Sequence, residues 1–310
     1  MPDNPSSRLP SPRIDNAPLG ILMMLVAVAL FSVLNVLVKA AAADYPLNQV
    51  TFFRNAFALV PVWATVMVQG GLRSLHSRRP FGHLWRSCIG LLSMTLMFWS
   101  FHLLPLADAV ALNFAAPLFL TALSVPLLGE KVGIHRWSAV AVGFVGVLVI
   151  VRPSADMLQL GAVVALSAAL AQSFAMIAIR QLTRTETANT IVFYFTLITT
   201  GLSALTLPFG WRTPDLQGLA ILVGTGLVGG VAQLFMTRAY TLAPAAVIAP
   251  FNYASIVWAA LFGWLLWHDV PTWNVIAGAA IVVASGCYIL HRETVRRRVA
   301  AAEMPAAADD

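Results

Sequence analysis

The chain alternates long apolar runs with short polar breaks. The apolar runs cover approximately residues 18–40, 47–69, 83–104, 107–128, 135–151, 158–179, 189–209, 216–237, 245–267 and 272–290. Each has about 20 residues, the length that an α-helix needs to cross ~30 Å of hydrocarbon. The run at 135–151 is the shortest, and only a turn around Leu106 parts the third run from the fourth. Apolar positions inside the runs are continuous, so the 3.6-residue amphipathic period of a soluble helix is missing from most of them. The same continuity argues against a transmembrane β-barrel, whose strands alternate. The pattern predicts an all-α integral membrane protein with ten transmembrane helices.

The second half of the pattern repeats the first. Lys39 matches Arg180 (180 − 39 = 141), Arg54 matches Tyr194 (194 − 54 = 140) and His102 matches Tyr240 (240 − 102 = 138). Asn113 matches Asn252 (252 − 113 = 139), and Glu130 matches Asp269 (269 − 130 = 139). An offset that drifts by only three residues (141 − 138 = 3) reads as duplication. It gives a tail at 1–17, five-helix units at 18–151 and 158–290, and a second tail at 291–310. Because five is odd, two such units enter the bilayer in opposite senses. The expected fold is therefore two inverted five-helix repeats, a common construction of secondary transporters.

Composition sharpens this picture. Hydrophobic residues make up 59% of the chain, charged residues 10%, and the mean hydropathy is +0.80. A soluble domain carries about 25% charge, so this chain has too little polar surface to cover a soluble globule. The stretch before Pro18 is rich in Pro, Ser, Asp and Asn, and reads as a disordered tail with no cleavable signal. Cys88 and Cys287 fall inside predicted spans, which suits small buried apolar residues better than a disulfide or a metal pair.

Charge then orients the spans. With the N-terminus in the cytoplasm, 15 of the 19 Lys and Arg residues fall on the cytoplasmic side, Arg86 among them. Lys39, Arg54, Arg152 and Arg212 fall on the other (19 − 15 = 4). By the positive-inside rule both termini are cytoplasmic, in a multi-pass protein of the cytoplasmic (inner) membrane. Asp44, Asp108, Asp156, Asp215 and Asp269 then mark the outer connections. Glu130 falls inside and its partner Asp269 outside, so charge recovers the inversion independently. The net charge of +6 is thus a topology signal; its scatter over short loops implies no nucleic-acid partner.

Polar groups at membrane depth are costly and need a partner, a cavity or a route to the interface. Asn35 and Lys39 share a face at i and i+4. Lys39 and the deeper Arg54 either attract a substrate carboxylate at a cavity mouth or snorkel and bind helix-end carbonyls. Trp99 and His102 share a face of the third span; His102 is a candidate for coupling protons to the substrate or an interfacial residue with a satisfied hydrogen bond. Asn113 and Asn252 sit at matching places and suit either a zwitterionic substrate or an interhelical hydrogen bond. Gln172 and Gln233 are the deepest strongly polar side chains, and at least one is expected to line the cavity. Tyr194, standing where the first unit has Arg54, is the best aromatic candidate. Tyr253 belongs with it among possible stacking walls for a planar solute. Gly226 and Gly230 form a small-xxx-small pair for close packing. Pro117, Pro126 and Pro250 are expected to interrupt helices and free carbonyls.

Three segments of the first half carry a family resemblance. They are NVLVKAAAADYPLNQVTFFRNAFALV (35–60), LLPLADAVALNFAAPLFLTALSVPLLGEKV (103–132) and RWSAVAVGFVGVLVIVRP (136–153). Together they resemble the first EamA unit of the drug/metabolite transporter superfamily. Residues 237–286, from TRAYTLAPAAVIAPFNY to IVVASG, resemble the second. The resemblance implies ten helices in two inverted units, a central cavity and transport of small organic solutes without ATP. Amino acids, vitamins such as riboflavin and nucleoside-like compounds are the implied substrates, and efflux of amphipathic drugs is an alternative. Trp267-His268-Asp269 departs from the Gly-Glu of the first unit, which puts the role of that corner in doubt.

The expected partners are a small-molecule substrate and the lipid bilayer, with protons as a candidate coupling ion and a monomer or homodimer as the assembly. No cofactor and no metal are expected. The six histidines are dispersed over both sides without metal-ligand spacing, which counts against an integral membrane enzyme. No phosphate-binding glycine loop appears. A channel would differ from a transporter in showing flux that does not saturate.

Overall fold

The computed structural model describes residues 16–68, 71, 75–129, 133–151, 160–243 and 245–302. Glu130, Arg152, Asp156, residues 1–15 of the first predicted tail and 303–310 of the second lie outside the described residues. The architecture is helical throughout, with no strand among the described residues. The first half contains α1 (Ala17–Asp44), α2 (Leu47–Val68), α3 (Pro80–Leu103), α4 (Leu106–Asn113), α5 (Ala116–Leu128) and α6 (Ile134–Val151). The second contains α7 (Leu160–Leu182), α8 (Ala188–Ala204), α9 (Leu216–Leu242), α10 (Ala245–Ile248), α11 (Ala254–Trp267) and α12 (Trp273–Ala302).

Among the described residues, seven segments are long and apolar enough to cross a membrane; one of them runs over Leu106–Leu128. Trp137–Val151 and Trp273–Ile289 are shorter apolar helices. The segment predicted at 245–267 is divided among α10, a 3₁₀ turn (Ala249–Tyr253) and α11. Outward faces are apolar, as along α6, where Val142, Val145 and Leu148 are exposed. Such a face suits lipid and not water. α12 runs on past the predicted boundary at residue 290, as far as Ala302.

Local chemistry sets the ends. Asn16 caps α1 by accepting from the Leu19 amide at 3.1 Å, and Pro18 in the first turn needs no partner. Asp215 caps α9 through the Gly218 amide at 2.8 Å. α5 ends on Gly129 with φ 66°, and α11 ends on His268 with φ 57°. These positions are repeat partners (268 − 129 = 139). The second half thus keeps the left-handed helix stop of the first, but with a side chain that the conformation disfavours.

The fourth and ninth predicted spans are both distorted, at the same place. Pro117 has no N–H for the carbonyl of Asn113. The chain tightens there, with Phe114 and Ala115 amides donating to the carbonyls three residues back, at 3.2 and 3.0 Å. Pro250 sits in the corresponding 3₁₀ turn before α11. Of the prolines expected to interrupt helices, Pro126 does not: it lies within α5.

Packing joins the two halves. The most extensive helix pairs are α1 with α9, α3 with α7, α6 with α12, and α2 with both α9 and α8. Glycines permit these approaches. A Cβ on Gly230 would stand 3.2 Å from the Ala58 backbone, and one on Gly226 2.8 Å from the Phe53 carbonyl. Gly146 and Gly278 face each other's carbonyls where α6 crosses α12.

Candidate substrate site

Polar side chains gather at three levels. At one end, Lys39 lies in the C-terminal part of α1, ahead of its last turn. Its Nζ donates to Asp269 Oδ2 at 3.2 Å and to the Leu104 carbonyl at 3.4 Å, and lies 4.8 Å from the Trp267 ring centre. Its side chain is 14% exposed, that of Asp269 33%. The carboxylate that Lys39 was expected to attract is therefore the protein's own, because the top of α1 meets the α11–α12 connection. The same end carries a polar clasp between the halves. Asn48 donates to the Thr206 and Gly210 carbonyls at 2.7 and 2.9 Å. Gln49 exchanges two hydrogen bonds with the Arg212 backbone, and Tyr45 donates to Asp215 at 3.2 Å. Desolvation and the neighbouring Asp215 charge hold the Tyr45 phenol above its ordinary pKa.

The other end is tied by Glu186. Its buried carboxylate accepts from the Arg78 amide at 2.8 Å and from the Ser77 hydroxyl at 3.2 Å, while His83 Nε2 stands 4.0 Å away. Asn16 adds a backbone bond to the Leu242 carbonyl at 3.1 Å.

Between these ends lies a polar interior flanked by α2, α3, α8 and α9. Arg54 Nη1 donates to Asn55 Oδ1 at 3.1 Å, and its Nε, beside Gly229 of α9, is buried without a partner. Arg86 lays its guanidinium over the Phe195 ring at 3.6 Å, a cation–π contact. It leaves Nε and Nη1 buried and unpaired. Thr51 Oγ1, Asn55 Nδ2, Ser87 Oγ and both His83 ring nitrogens share that condition. The Tyr194 ring packs 4.8 Å from His83 and edge-on to Phe193. Ser93 donates to Gln172 Oε1 at 3.2 Å and to the Ala168 carbonyl at 3.0 Å, which ties Gln172 into the α3–α7 contact.

The remaining candidates divide. Asn35 and Gln233 are half-buried, as is Asn113 at the end of α4. Asn252 donates to the Tyr240 hydroxyl at 3.4 Å. The Tyr253 ring contacts Phe114 at 4.7 Å and its hydroxyl meets Gly286 of α12. Tyr253 therefore points toward the apolar groove between α11 and α12, of about 290 Å³, and away from the polar interior. Trp99 is 40% exposed and stands 18 residues (99 − 81 = 18), or five turns, from Phe81, which is 84% exposed. The face that Trp99 shares with the exposed His102 is therefore the outward one, and neither joins the polar interior.

Arg86 and Glu186 are the members that sequence reasoning missed. Arg86 was counted as a loop charge, although it lies inside the apolar run 83–104, and that position was the available signal. Glu186 lies in a polar loop, and nothing local marks it as buried.

The chain resembles known proteins over nearly its whole length. The model of the EamA-like transporter family matches residues 18–152 and again 159–290. A riboflavin transporter of Vibrio cholerae is 30% identical over 283 residues, covering 90% of this chain and 95% of that protein. A pseudopaline exporter of Pseudomonas aeruginosa is 33% identical, covering 88% and 96%. An S-adenosylmethionine uptake transporter of Rickettsia prowazekii is 27% identical, covering 88% and 93%. A solved protein crystal structure has the same fold, with a TM-score of 0.62 at 20% identity, over 90% of this chain and 98% of that one. With two family units, apolar helices and relatives of matching length, the chain belongs to the EamA-like transporters of the drug/metabolite transporter superfamily.

Proposed function

We propose that the chain is a secondary transporter of a small organic metabolite, built from ten spans in two inverted units with both termini in the cytoplasm. Alternating access moves the solute through the polar interior between the units. Relatives named for riboflavin, pseudopaline and S-adenosylmethionine support that substrate range. The observation that carries the reading is the placement of polar contacts. Lys39–Asp269 and the Asn48–Gly210 clasp join the halves at one end, and Glu186 joins them at the other. Buried polar atoms without partners lie between. A pathway closed by polar contacts at two ends around an unsatisfied centre suits a carrier better than an open pore. The strong charge bias supports a cytoplasmic position for the Glu186 end. Nothing in the relatives' names points to an enzyme.

The test is counterflow in proteoliposomes loaded with riboflavin, S-adenosylmethionine or an amino-acid mixture. Saturable uptake that is accelerated by internal unlabelled solute is expected for at least one of them. Flux that rises linearly with concentration and voltage would identify a channel instead.

A further inference from the structure

The buried arginines are the unusual feature of this interior. A guanidinium at membrane depth is expensive unless it is paired. Neither Arg54 nor Arg86 has a carboxylate partner among the described residues. Arg86 covers one face with Phe195 and leaves two N–H edges unbonded; Arg54 leaves its Nε. Their helices, α2 and α3, touch each other and both pack on α8. Glu186 turns elsewhere: its Oε1 accepts from Ser77 and Arg78, and its Oε2 stands 4.0 Å from His83.

The fold itself does not demand these cations. Arg54 has Tyr194 as its repeat partner, and Arg86 has Gly224 by the offset of 138 that relates His102 to Tyr240 (86 + 138 = 224). The second unit builds the corresponding helices, α8 and α9, with an uncharged residue at both places. The pair belongs to the first unit, and Thr51, Asn55 and Ser87, which also leave hydrogen-bonding atoms unsatisfied, lie on the same two helices, α2 and α3.

We propose that Arg54 and Arg86 form a binding site for a carboxylate group of the transported solute. A carboxylate accepts from the N–H groups of guanidinium groups, and it would offset one of the two buried positive charges while taking up N–H groups that are now unbonded. Thr51, Asn55 and Ser87 would supply the remaining donors. The proposal rests on the transporter reading for its occupant, and it names the class that the interior selects: anionic or zwitterionic solutes that carry a carboxylate.

The full-length protein in detergent is titrated with succinate, citrate, succinamide and inorganic phosphate at matched ionic strength, and thermal unfolding is followed by tryptophan fluorescence. Succinate or citrate is expected to raise the melting temperature saturably in wild type and in Arg184→Gln, an exposed loop control, and succinamide is not. Arg86→Gln should weaken that response about tenfold or more, with partial rescue in Arg86→Lys. Arg54→Gln should do the same, and Arg54→Lys serves if that variant does not fold. An unchanged titration in Arg86→Gln, or no saturable response to either carboxylate in wild type, overturns the site. A stronger response to phosphate than to either carboxylate overturns the carboxylate assignment. Counterflow separates this from the transport reading. Wild-type counterflow that persists unaltered in Arg86→Gln removes the site and leaves the transporter. A carboxylate titration that needs Arg86 in a protein without counterflow for any loaded solute removes the transporter and leaves the site.

Discussion

Arg54 and Lys39 are both cations of the first unit, and the structure separates their roles by what surrounds them. Lys39 is held by Asp269 of the other half, at a partly exposed position where such a pair contributes modestly. A double-mutant cycle of Lys39→Met and Asp269→Asn should return a coupling of about 1 kcal/mol; additive effects on thermal unfolding would deny the contact. Trp99 and His102 lie on the outward face, so Trp99→Ala and His102→Gln should change counterflow kinetics by no more than about twofold, the range of ordinary surface changes. A shifted pH profile in His102→Gln would restore its coupling role. Tyr45 titrates above its ordinary value, so the neutral form is the one the fold favours. Its bond to Asp215 is fully present below pH ~10 and is lost as pH rises through the raised folded value. Tyrosinate absorbance at alkaline pH, compared with Tyr45→Phe, reads this directly.

At the scale of the helix, glycine and proline decide where segments touch and bend. The Gly226/Gly230 spacing in α9 is a small-xxx-small signal, and it meets Phe53, Ala58 and Pro61 of α2. Gly230→Ala should lower stability by about 1–3 kcal/mol through overpacking against Ala58 and Pro61. Gly201 in α8 has open space around its Cβ position, so Gly201→Ala should be neutral or stabilising by about 0.5–1 kcal/mol. Thermal unfolding of the pair measures both, and equal effects would contradict the packing. His268 occupies the left-handed stop that Gly129 fills in the first unit. His268→Gly is expected to raise stability by up to about 1 kcal/mol, since glycine adopts that conformation freely. The prolines are read less simply. Pro117 and Pro250 each coincide with a tightened segment, whereas Pro126 is carried inside α5, because a helix can absorb one missing bond when its neighbours hold it.

Across the whole molecule the two units pack almost entirely on each other, and they do so unequally. α2 rests closely on α9, while the corresponding pair of the inverted repeat, α3 and α8, is less extensively packed, and Arg86 and Phe195 meet there. In an inverted repeat the opposite conformation exchanges the two arrangements, so α3 and α8 are expected to close when α2 and α9 part. Spin labels at the outward positions 92 and 197 should show two distance populations whose ratio shifts with solute, whereas one invariant distribution would contradict the exchange.

The apolar, helical character of the segments and the duplication were legible in the chain. They follow from local composition and from a bilayer that forces continuous apolar helices. The family resemblance was legible for the same reason, since its motifs mark helix ends and close crossings such as Gly143 and Gly146. What surrounds a polar side chain was not legible. Whether Lys39 meets a solute or Asp269 depends on how α1 and α11 come together, 230 residues apart in sequence (269 − 39 = 230). Trp99 faces outward because the rotation of α3 is set by its contacts with α7 and α8, and a span without an amphipathic period carries no trace of that rotation. Arg86 could be seen inside an apolar run, but only the packing of α3 against α8 leaves its N–H edges buried and unpaired. Burial and pairing belong to tertiary structure because the partners come from different helices of different repeats.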